Sequence, residues 1–165
     1  MDRLWAPWRL NFVAASKEPM SSCFLCRSAE TGADARGHWL ARRTARSCVV
    51  LNRFPYNNGH LLVAPLAHKA TLDELTAEEL ADGMEEVRFM IRCLDAIMKP
   101  DGYNVGLNLG KAAGAGLPGH LHWHIVPRWH GDTNYMTTCA DDRVIVQSLE
   151  AFYELLVAEI AKQGR

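Results

Sequence analysis

Residues 119–128 alternate histidine with apolar side chains, and this alternation constrains the fold more than any other part of the chain. Three of the seven histidines, His120, His122 and His124, occupy every second position. A β-strand over 120–127 would therefore carry three imidazoles on one face and an apolar surface on the other. The apolar face can pack on a core, whereas imidazoles can act as nucleophile, acid, base or metal ligand near neutral pH. A solvent-facing strand with incidental polar residues is the plainer alternative.

The segments around this one favour an α+β fold with a mostly antiparallel sheet. Strand-like runs cover residues 38–52, 60–64 and 103–109. The sequence Pro-Tyr-Asn-Asn-Gly at 55–59 supplies turn chemistry between the first two runs, which predicts a β-hairpin. A hairpin at the start and strands that outnumber helices are typical of this fold class.

A change of period after residue 75 predicts a long helix. Thr76 and Glu79 have the spacing of a capping box, and Pro100 and Gly102 mark the end of the helix. Between them, apolar residues recur at steps of three and four, at Leu80, Met84, Val87, Ile91, Leu94 and Met98. A similar pattern predicts a C-terminal helix from Val144, Leu149, Phe152, Leu155, Leu156 and Ile160.

Length and composition limit the classes of function. The chain has 165 residues, a formal net charge of −1 and 48% hydrophobic residues, which fits one globular domain. The near-neutral charge argues against a polymeric nucleic acid as partner. No apolar stretch has the length of a membrane span, and residues 1–16 lack the apolar core of a signal peptide. We therefore expect no membrane partner and a cytoplasmic location.

The chain has five cysteines, and two of them, Cys23 and Cys26, are separated by two residues. In a reducing compartment this spacing favours a metal site or a redox pair over a structural disulfide. Two thiols on a turn without a metal are the plainer alternative. We assign no function to Cys48, Cys93 and Cys139, because buried free thiols are common.

The histidine segment resembles the signature of the histidine-triad superfamily of nucleotide hydrolases and nucleotidyl transferases, in which His-x-His-x-His is followed by apolar residues. Residues 50–53 and 58–63 are similar to the family's ribose-binding Asn and its Gly-His strand, and 108–110 to its phosphate-side loop. The flanks at 4–9 and 127–134 look like the bacterial branch that acts on diadenosine polyphosphates.

The resemblance implies a single domain over residues 1–165 with a five-stranded sheet and one long helix packed on it. Its core would cover 23–130, between an N-terminal extension (1–22) and a C-terminal extension (131–165) that contains the last helix. Triad proteins typically pair, so the resemblance also implies a homodimer.

The resemblance further implies a role for each candidate residue. His122 would be the nucleophile that forms a nucleotidyl-histidine at the α-phosphate, and His124 would contact the phosphate or the leaving oxygen. His60 would orient the cluster or contact phosphate, and His120 would orient the nucleophile or bind a metal. The expected catalytic set is His122, His124, His120 and His60. The expected nucleotide-binding set is Asn52, Asn108, Gly114, Gly116 and His124.

The loop before the triad departs from the family pattern. Many members carry Gln-Ser or Gln-Thr there, whereas residues 113–118 read Ala-Gly-Ala-Gly-Leu-Pro. Backbone N–H groups at Gly114 and Gly116 would then hold phosphate oxygens, as glycine-rich nests do. For Asn52 and Asn108, ordinary turn or strand-end chemistry is the alternative.

Family members with a Cys-x-x-Cys pair near the N-terminus carry zinc, and the matching ligands here are Cys23, Cys26, His68 and His120. Two thiols and two imidazoles are typical ligands of tetrahedral zinc. Four protein ligands leave no position for water, so the zinc would be structural. No organic cofactor is expected.

Several functions remain open at this point. The leading interpretation is an enzyme that cleaves dinucleoside polyphosphates by hydrolysis or phosphorolysis. The alternatives are a nucleoside phosphoramidase, a uridylyltransferase-like enzyme and a non-enzymatic, zinc-stabilised nucleotide-binding module. His124 counts against the uridylyltransferase, because relatives of that branch have Gln at this position.

Overall fold

A computed structural model describes residues 23–30, 34–132 and 147–164. Five strands form one antiparallel sheet in the order β1-β2-β3-β5-β4. The strands are β1 (Leu40–Arg43), β2 (Ser47–Leu51), β3 (Leu61–Pro65), β4 (Gly102–Leu107) and β5 (Trp123–Arg128). The helices are α1 (Phe24–Ala29), α2 (Ala77–Met98) and α3 (Leu149–Gln163), and short 3₁₀ turns cover Leu72–Glu74 and Lys111–Ala113. The predicted α+β class with a five-stranded antiparallel sheet is confirmed.

The β2–β3 hairpin is the one that the turn sequence predicts. Val50 pairs with Leu62 in an antiparallel register, and the connection contains Gly59 at φ +77°. A side chain at Gly59 would meet Sδ of Met98 at 2.7 Å. The turn therefore requires glycine both for its backbone conformation and for the close approach of the end of α2.

Helix α2 begins and ends where the sequence predicts. The hydroxyl of Thr76 accepts a hydrogen bond from the N–H of Glu79, and the Glu79 carboxylate accepts one from the N–H of Thr76. Lys99 follows the helix in the left-handed conformation and precedes Pro100, which cannot continue the helix. The capping box therefore forms as expected.

One residue of the predicted buried face of α2 is wrong. Met84 is 50% exposed, whereas Gly83 is buried and its Cβ position lies 2.7 Å from the ring of Trp123. The large indole fills the space that a side chain at 83 would need, and this contact sets the rotation of the helix. The buried residues of α2 are Gly83, Glu86, Val87, Phe89, Met90, Cys93 and Leu94.

Helix α3 packs on α2 and β1 and completes this core. Phe152, Leu156 and Ile160 are buried as predicted, whereas Leu155 is 50% exposed because it points away from the other three. Val144 lies outside the described residues.

Two apolar clusters cover opposite faces of the sheet. On one face, residues such as Val63, Trp123 and Ile125 pack with α2 and α3. On the other face, residues such as Val50 and Leu62 pack with the α1 segment. Since Leu62 pairs with His124, His124 lies on the α1 side of the sheet.

Two strand predictions need correction. The run at 38–52 is not one strand, because it turns back at Thr44, whose N–H donates to the carbonyl of Ser47. The last strand begins at Trp123 and not at His120, so His120 and His122 precede the paired segment. The N–H of Leu121 donates to Lys69 instead of to β4, because β4 ends at Leu107, opposite Trp123.

The predicted N-terminal extension, residues 1–22, lies outside the described residues. Of the helices that the structure describes, none combines the length and the apolar composition needed to cross a lipid bilayer.

Candidate active site and metal centre

Four side chains from distant parts of the chain form a compact sulfur and nitrogen cluster. Cys23 and Cys26 lie at the start of α1, His68 follows β3, and His120 precedes β5. Sγ of Cys23 lies 3.3 Å from Nδ1 of His120, and Sγ of Cys26 lies 3.2 Å from Nδ1 of His68. The four donor atoms all lie within 4.8 Å of one another. The structure thus brings together the four residues that were expected to bind a metal.

The donor set and its spacing fit a tetrahedral metal ion. With Zn–S bonds of about 2.3 Å and Zn–N bonds of about 2.05 Å, a sulfur and a nitrogen ligand lie about 3.6 Å apart. The close sulfur–nitrogen distances in this cluster are 3.2, 3.3 and 3.5 Å. Burial raises the pKa of Cys26 to about 11, and the neighbouring Cys23 adds to the rise. A nearby cation is what converts such thiols to thiolates, so the cluster could bind a metal.

The tautomer of His120 suits a metal ligand. Its Nε2 lies 2.9 Å from the carbonyl oxygen of Pro65 and donates to it. The lone pair is therefore on Nδ1, which faces the two thiols. Burial lowers the pKa of His120 to about 4, so the ring is neutral at neutral pH. A neutral imidazole whose other nitrogen donates to a carbonyl is the usual metal-binding form.

His122 has the opposite tautomer. Its Nδ1 lies 2.8 Å from the carbonyl oxygen of His120 and donates to it, so Nε2 bears the lone pair. His122 is 8% exposed, and burial lowers its pKa. At neutral pH the ring therefore presents an unprotonated Nε2, which is the form that a nucleophilic histidine requires.

His124 lies between His122 and His60. Its ring centroid is 5.0 Å from that of His122 and 5.1 Å from that of His60. Nδ1 of His124 is 2.9 Å from Nε2 of His60, and Nε2 of His124 is 3.3 Å from the amide Nδ2 of Asn108. A half-turn of that amide would bring its oxygen to the same place.

The polarity of the His60–His124 hydrogen bond follows from the backbone. The N–H of Tyr56 donates to Nδ1 of His60 at 3.0 Å, and Nδ2 of Asn52 lies 3.2 Å from the same atom. A neutral His60 therefore carries its proton on Nε2 and donates to Nδ1 of His124. A neutral His124 in turn carries its proton on Nε2, beside Asn108.

The loop between β4 and β5 contains the two glycines expected to bind phosphate. Gly114 follows the short 3₁₀ turn at φ +85° and is exposed, and no residue in the described part of the chain lies within 4 Å of where its Cβ would be. Gly116 lies two residues further along and is partly exposed. The loop continues into the triad segment, where the N–H of His120 donates to the carbonyl of Leu117.

Two groups in these clusters were missed by sequence reasoning. The Tyr56 ring stacks on His60, with centroids 4.7 Å apart, and also lies 5.7 Å from that of His124. An aromatic residue inside the turn sequence was the only available signal. The Pro65 carbonyl, which selects the tautomer of His120, has no signal in the sequence, because any residue offers a carbonyl.

The sheet and its triad of histidines define the class of protein. A family model for the HIT domain matches residues 41–131, which include the triad, the β2–β3 hairpin and α2. The chain belongs to the HIT domain family.

Similarity to known proteins extends beyond the residues that the family model matches. The chain is 39% identical to an AP-4-A phosphorylase of Mycobacterium tuberculosis over 169 aligned residues, which cover 99% of this chain and 86% of that protein. It is 34% identical to an asymmetrical bis(5'-nucleosyl)-tetraphosphatase of Schizosaccharomyces pombe, over 54% of this chain and 49% of that protein. A Zn-bound histidine triad family protein of Mycobacterium smegmatis superposes with a TM-score of 0.70 at 27% identity, over 87% of this chain and 96% of that chain.

Proposed function

We propose that this protein is a nucleotide hydrolase or phosphorylase that cleaves dinucleoside polyphosphates at the α-phosphate. One observation carries the proposal. His122 presents an unprotonated Nε2 beside His124, on a chain that resembles a phosphorylase of this substrate class along almost its whole length.

His122 is the proposed nucleophile. Its Nε2 attacks the α-phosphorus, a phosphorus–nitrogen bond forms, and the bond to the bridging oxygen of the leaving polyphosphate breaks. Water, which gives up a proton to the solvent, or inorganic phosphate then attacks the same phosphorus, the phosphorus–nitrogen bond breaks, and the lone pair returns to Nε2 of His122. The hydrogen bond from Nδ1 to the His120 carbonyl supports the developing positive charge on the ring.

His124 is proposed to donate a hydrogen bond from Nε2 to the leaving oxygen, on which negative charge develops. The hydrogen bond from His60 leaves the proton of a neutral His124 on Nε2. His60 acts through His124, so we assign it a positioning role. Asn108, beside Nε2 of His124, is proposed to bind the phosphate or the bridging oxygen.

The nucleotide is proposed to bind along the same side of the sheet. Asn52 would bind the ribose hydroxyls. Its side chain is held at the end of β2, where its oxygen accepts from the Phe54 N–H and its amide nitrogen lies beside the His60 ring. Backbone N–H groups around Gly114 and Gly116 would hold phosphate oxygens.

The metal cluster is proposed to bind a structural zinc ion. Cys23, Cys26, His68 and His120 would supply all four ligands, and zinc would hold the α1 segment against the segment before β5. Because no ligand position remains for water, these residues would not activate a nucleophile. His120 would hold His122 in place, since its carbonyl binds Nδ1 of His122.

The test of the proposed function is product analysis with diadenosine tetraphosphate, in the presence and absence of inorganic phosphate. Hydrolysis gives AMP and ATP, whereas phosphorolysis gives ADP and ATP. Adenosine phosphoramidate, assayed in parallel, tests the phosphoramidase alternative. No cleavage of the dinucleotide under either condition would sink the proposal.

The homodimer is likewise a proposal, supported by the position of β4 at the edge of the sheet and by Val105, which is 42% exposed there. An unpaired edge strand is a common pairing surface. Light scattering that gave only the 18.4 kDa chain would contradict it. The single domain with two extensions and the cytoplasmic location stay predictions.

A further inference from the structure

Gly106 lies in the middle of β4, directly opposite His124 in the antiparallel register. Residues that face each other across an antiparallel pair project from the same face of the sheet, with Cβ atoms about 5 Å apart. A side chain at 106 would therefore lie beside the His124 imidazole. Asn108, two positions along the strand, is on the same face and reaches Nε2 of His124.

The fold itself does not explain a glycine at this position. Gly106 has no left-handed backbone conformation, unlike Gly59 and Gly114. Among the described residues, a Cβ at 106 would meet nothing within 4 Å, whereas one at Gly83 would meet the Trp123 ring at 2.7 Å. Glycine in a strand weakens it and often marks a place where a ligand approaches the backbone closely.

The open space at Gly106 is next to His124, on the side of His122 where the His124 ring lies. This inference rests on the proposed function, in which His124 donates a hydrogen bond to the leaving oxygen. The part of the substrate beyond that oxygen must then lie next to His124. We propose that Gly106 is a specificity-determining residue that leaves room for the departing polyphosphate chain and so admits substrates with a large leaving group.

The test compares two glycines of the same strand. Gly102 is on the same face of β4 as Gly106, opposite Arg128, and a Cβ there also meets no described residue within 4 Å. It lies four residues away, about 13 Å along the strand. Gly102→Val is therefore the matched control for Gly106→Val, since both add the same side chain to an open position.

Binding is measured by calorimetry in a His122→Ala background, with AMP as the ligand that lacks a leaving group and diadenosine tetraphosphate as the ligand that has one. We expect Gly106→Val to weaken binding of the dinucleotide about tenfold or more while AMP binding changes less than about twofold. Gly102→Val should change neither. In the otherwise wild-type protein, Gly106→Val should lower kcat/KM for the dinucleotide by a similar factor.

Equal weakening for both ligands, or none for either, would overturn the inference and leave the proposed function intact. So would a loss of dinucleotide binding that follows the loss of a dimer in light scattering, because the glycine would then serve contact with a second chain. If Gly106→Val does not fold, Gly106→Ala gives the same comparison with a smaller side chain. A wild-type protein that neither binds nor cleaves nucleotides would overturn both proposals.

Discussion

His120 and His122 are two residues apart in one motif, yet they belong to clusters of opposite character. His120 donates from Nε2 to the Pro65 carbonyl and presents Nδ1 to two thiols. His122 donates from Nδ1 to the His120 carbonyl and presents Nε2. The tautomer of His120 therefore suits a metal ligand, and the tautomer of His122 suits a nucleophile.

The difference shows that backbone carbonyls select the chemistry of these rings. Burial keeps both rings neutral by lowering their pKa values, so each has one protonated and one unprotonated nitrogen. Which nitrogen is protonated depends on which one faces a carbonyl. The His120 carbonyl thereby links two clusters. One is the sulfur and nitrogen cluster to which His120 belongs, and the other is the group of imidazoles to which His122 belongs.

The largest expected effect is the loss of kcat when the proposed nucleophile is removed. We predict that His122→Ala lowers kcat at least about 1,000-fold and leaves nucleotide binding largely intact, because only this residue would form the covalent bond. Steady-state rates and calorimetric binding check it. His130→Ala is the control, since the His130 side chain is 95% exposed. More than about a tenth of the wild-type kcat in His122→Ala would refute the assignment.

We expect the candidate metal site to contribute to stability and not to bond cleavage. We predict about one zinc ion per chain in protein purified without added metal, and none after Cys23→Ser with Cys26→Ser. The double variant should melt about 10 °C lower or more, because metal-binding energy in such sites is folding energy. Elemental analysis and thermal melting are the measurements.

Cys93→Ser is the matched control for this loss. Cys93 is fully buried, but it lies in the core on the other side of the sheet. The variant should lose stability and keep its zinc. A wild-type protein without zinc, or equal zinc in the double variant, would mean that the cysteine pair is incidental.

A smaller effect tests whether His122 and His124 have different roles in the reaction. We predict that His124→Ala lowers kcat/KM for diadenosine tetraphosphate about 100-fold, because the leaving oxygen loses its hydrogen-bond donor. With the dinitrophenyl ester of AMP, whose phenolate is a much weaker base than the polyphosphate, the loss should be less than about tenfold. Equal losses on the two substrates would show that His124 does not assist the departure of the leaving oxygen.

The smallest effect concerns the apolar residue between these two histidines. Trp123 packs against Gly83, where a Cβ would lie 2.7 Å from the indole ring. We predict that Gly83→Ala lowers the free energy of unfolding by about 1–3 kcal/mol through overpacking. Gly102→Ala, which adds a methyl group that no described residue approaches within 4 Å, should change it by less than about 0.5 kcal/mol. Denaturant unfolding distinguishes them, and equal changes would contradict the packing explanation.

Local patterns in the sequence were sufficient for much of the fold. The capping box at Thr76 and Glu79 depends only on residues three apart, and the Pro-Tyr-Asn-Asn-Gly turn depends on backbone preferences of its own residues. The alternation within β5 likewise predicts that Trp123 and Ile125 face the core, because strand geometry alone places every second side chain on one face. The four candidate metal ligands were found from the cysteine spacing and from family resemblance, and the structure brings them together.

Tertiary structure alone decided how these parts meet. Met84 satisfies the helical period but is exposed, because the Trp123 ring selects Gly83 for the buried face. Cys23 and His120 are 97 residues apart, and the tautomers of His120 and His122 depend on carbonyls that every residue possesses. Sequence patterns report short-range geometry and residue chemistry. The carbonyl that faces His122 is only two residues away, whereas the contacts that make His120 suitable for a metal, with Cys23 and Pro65, form only when the sheet is assembled.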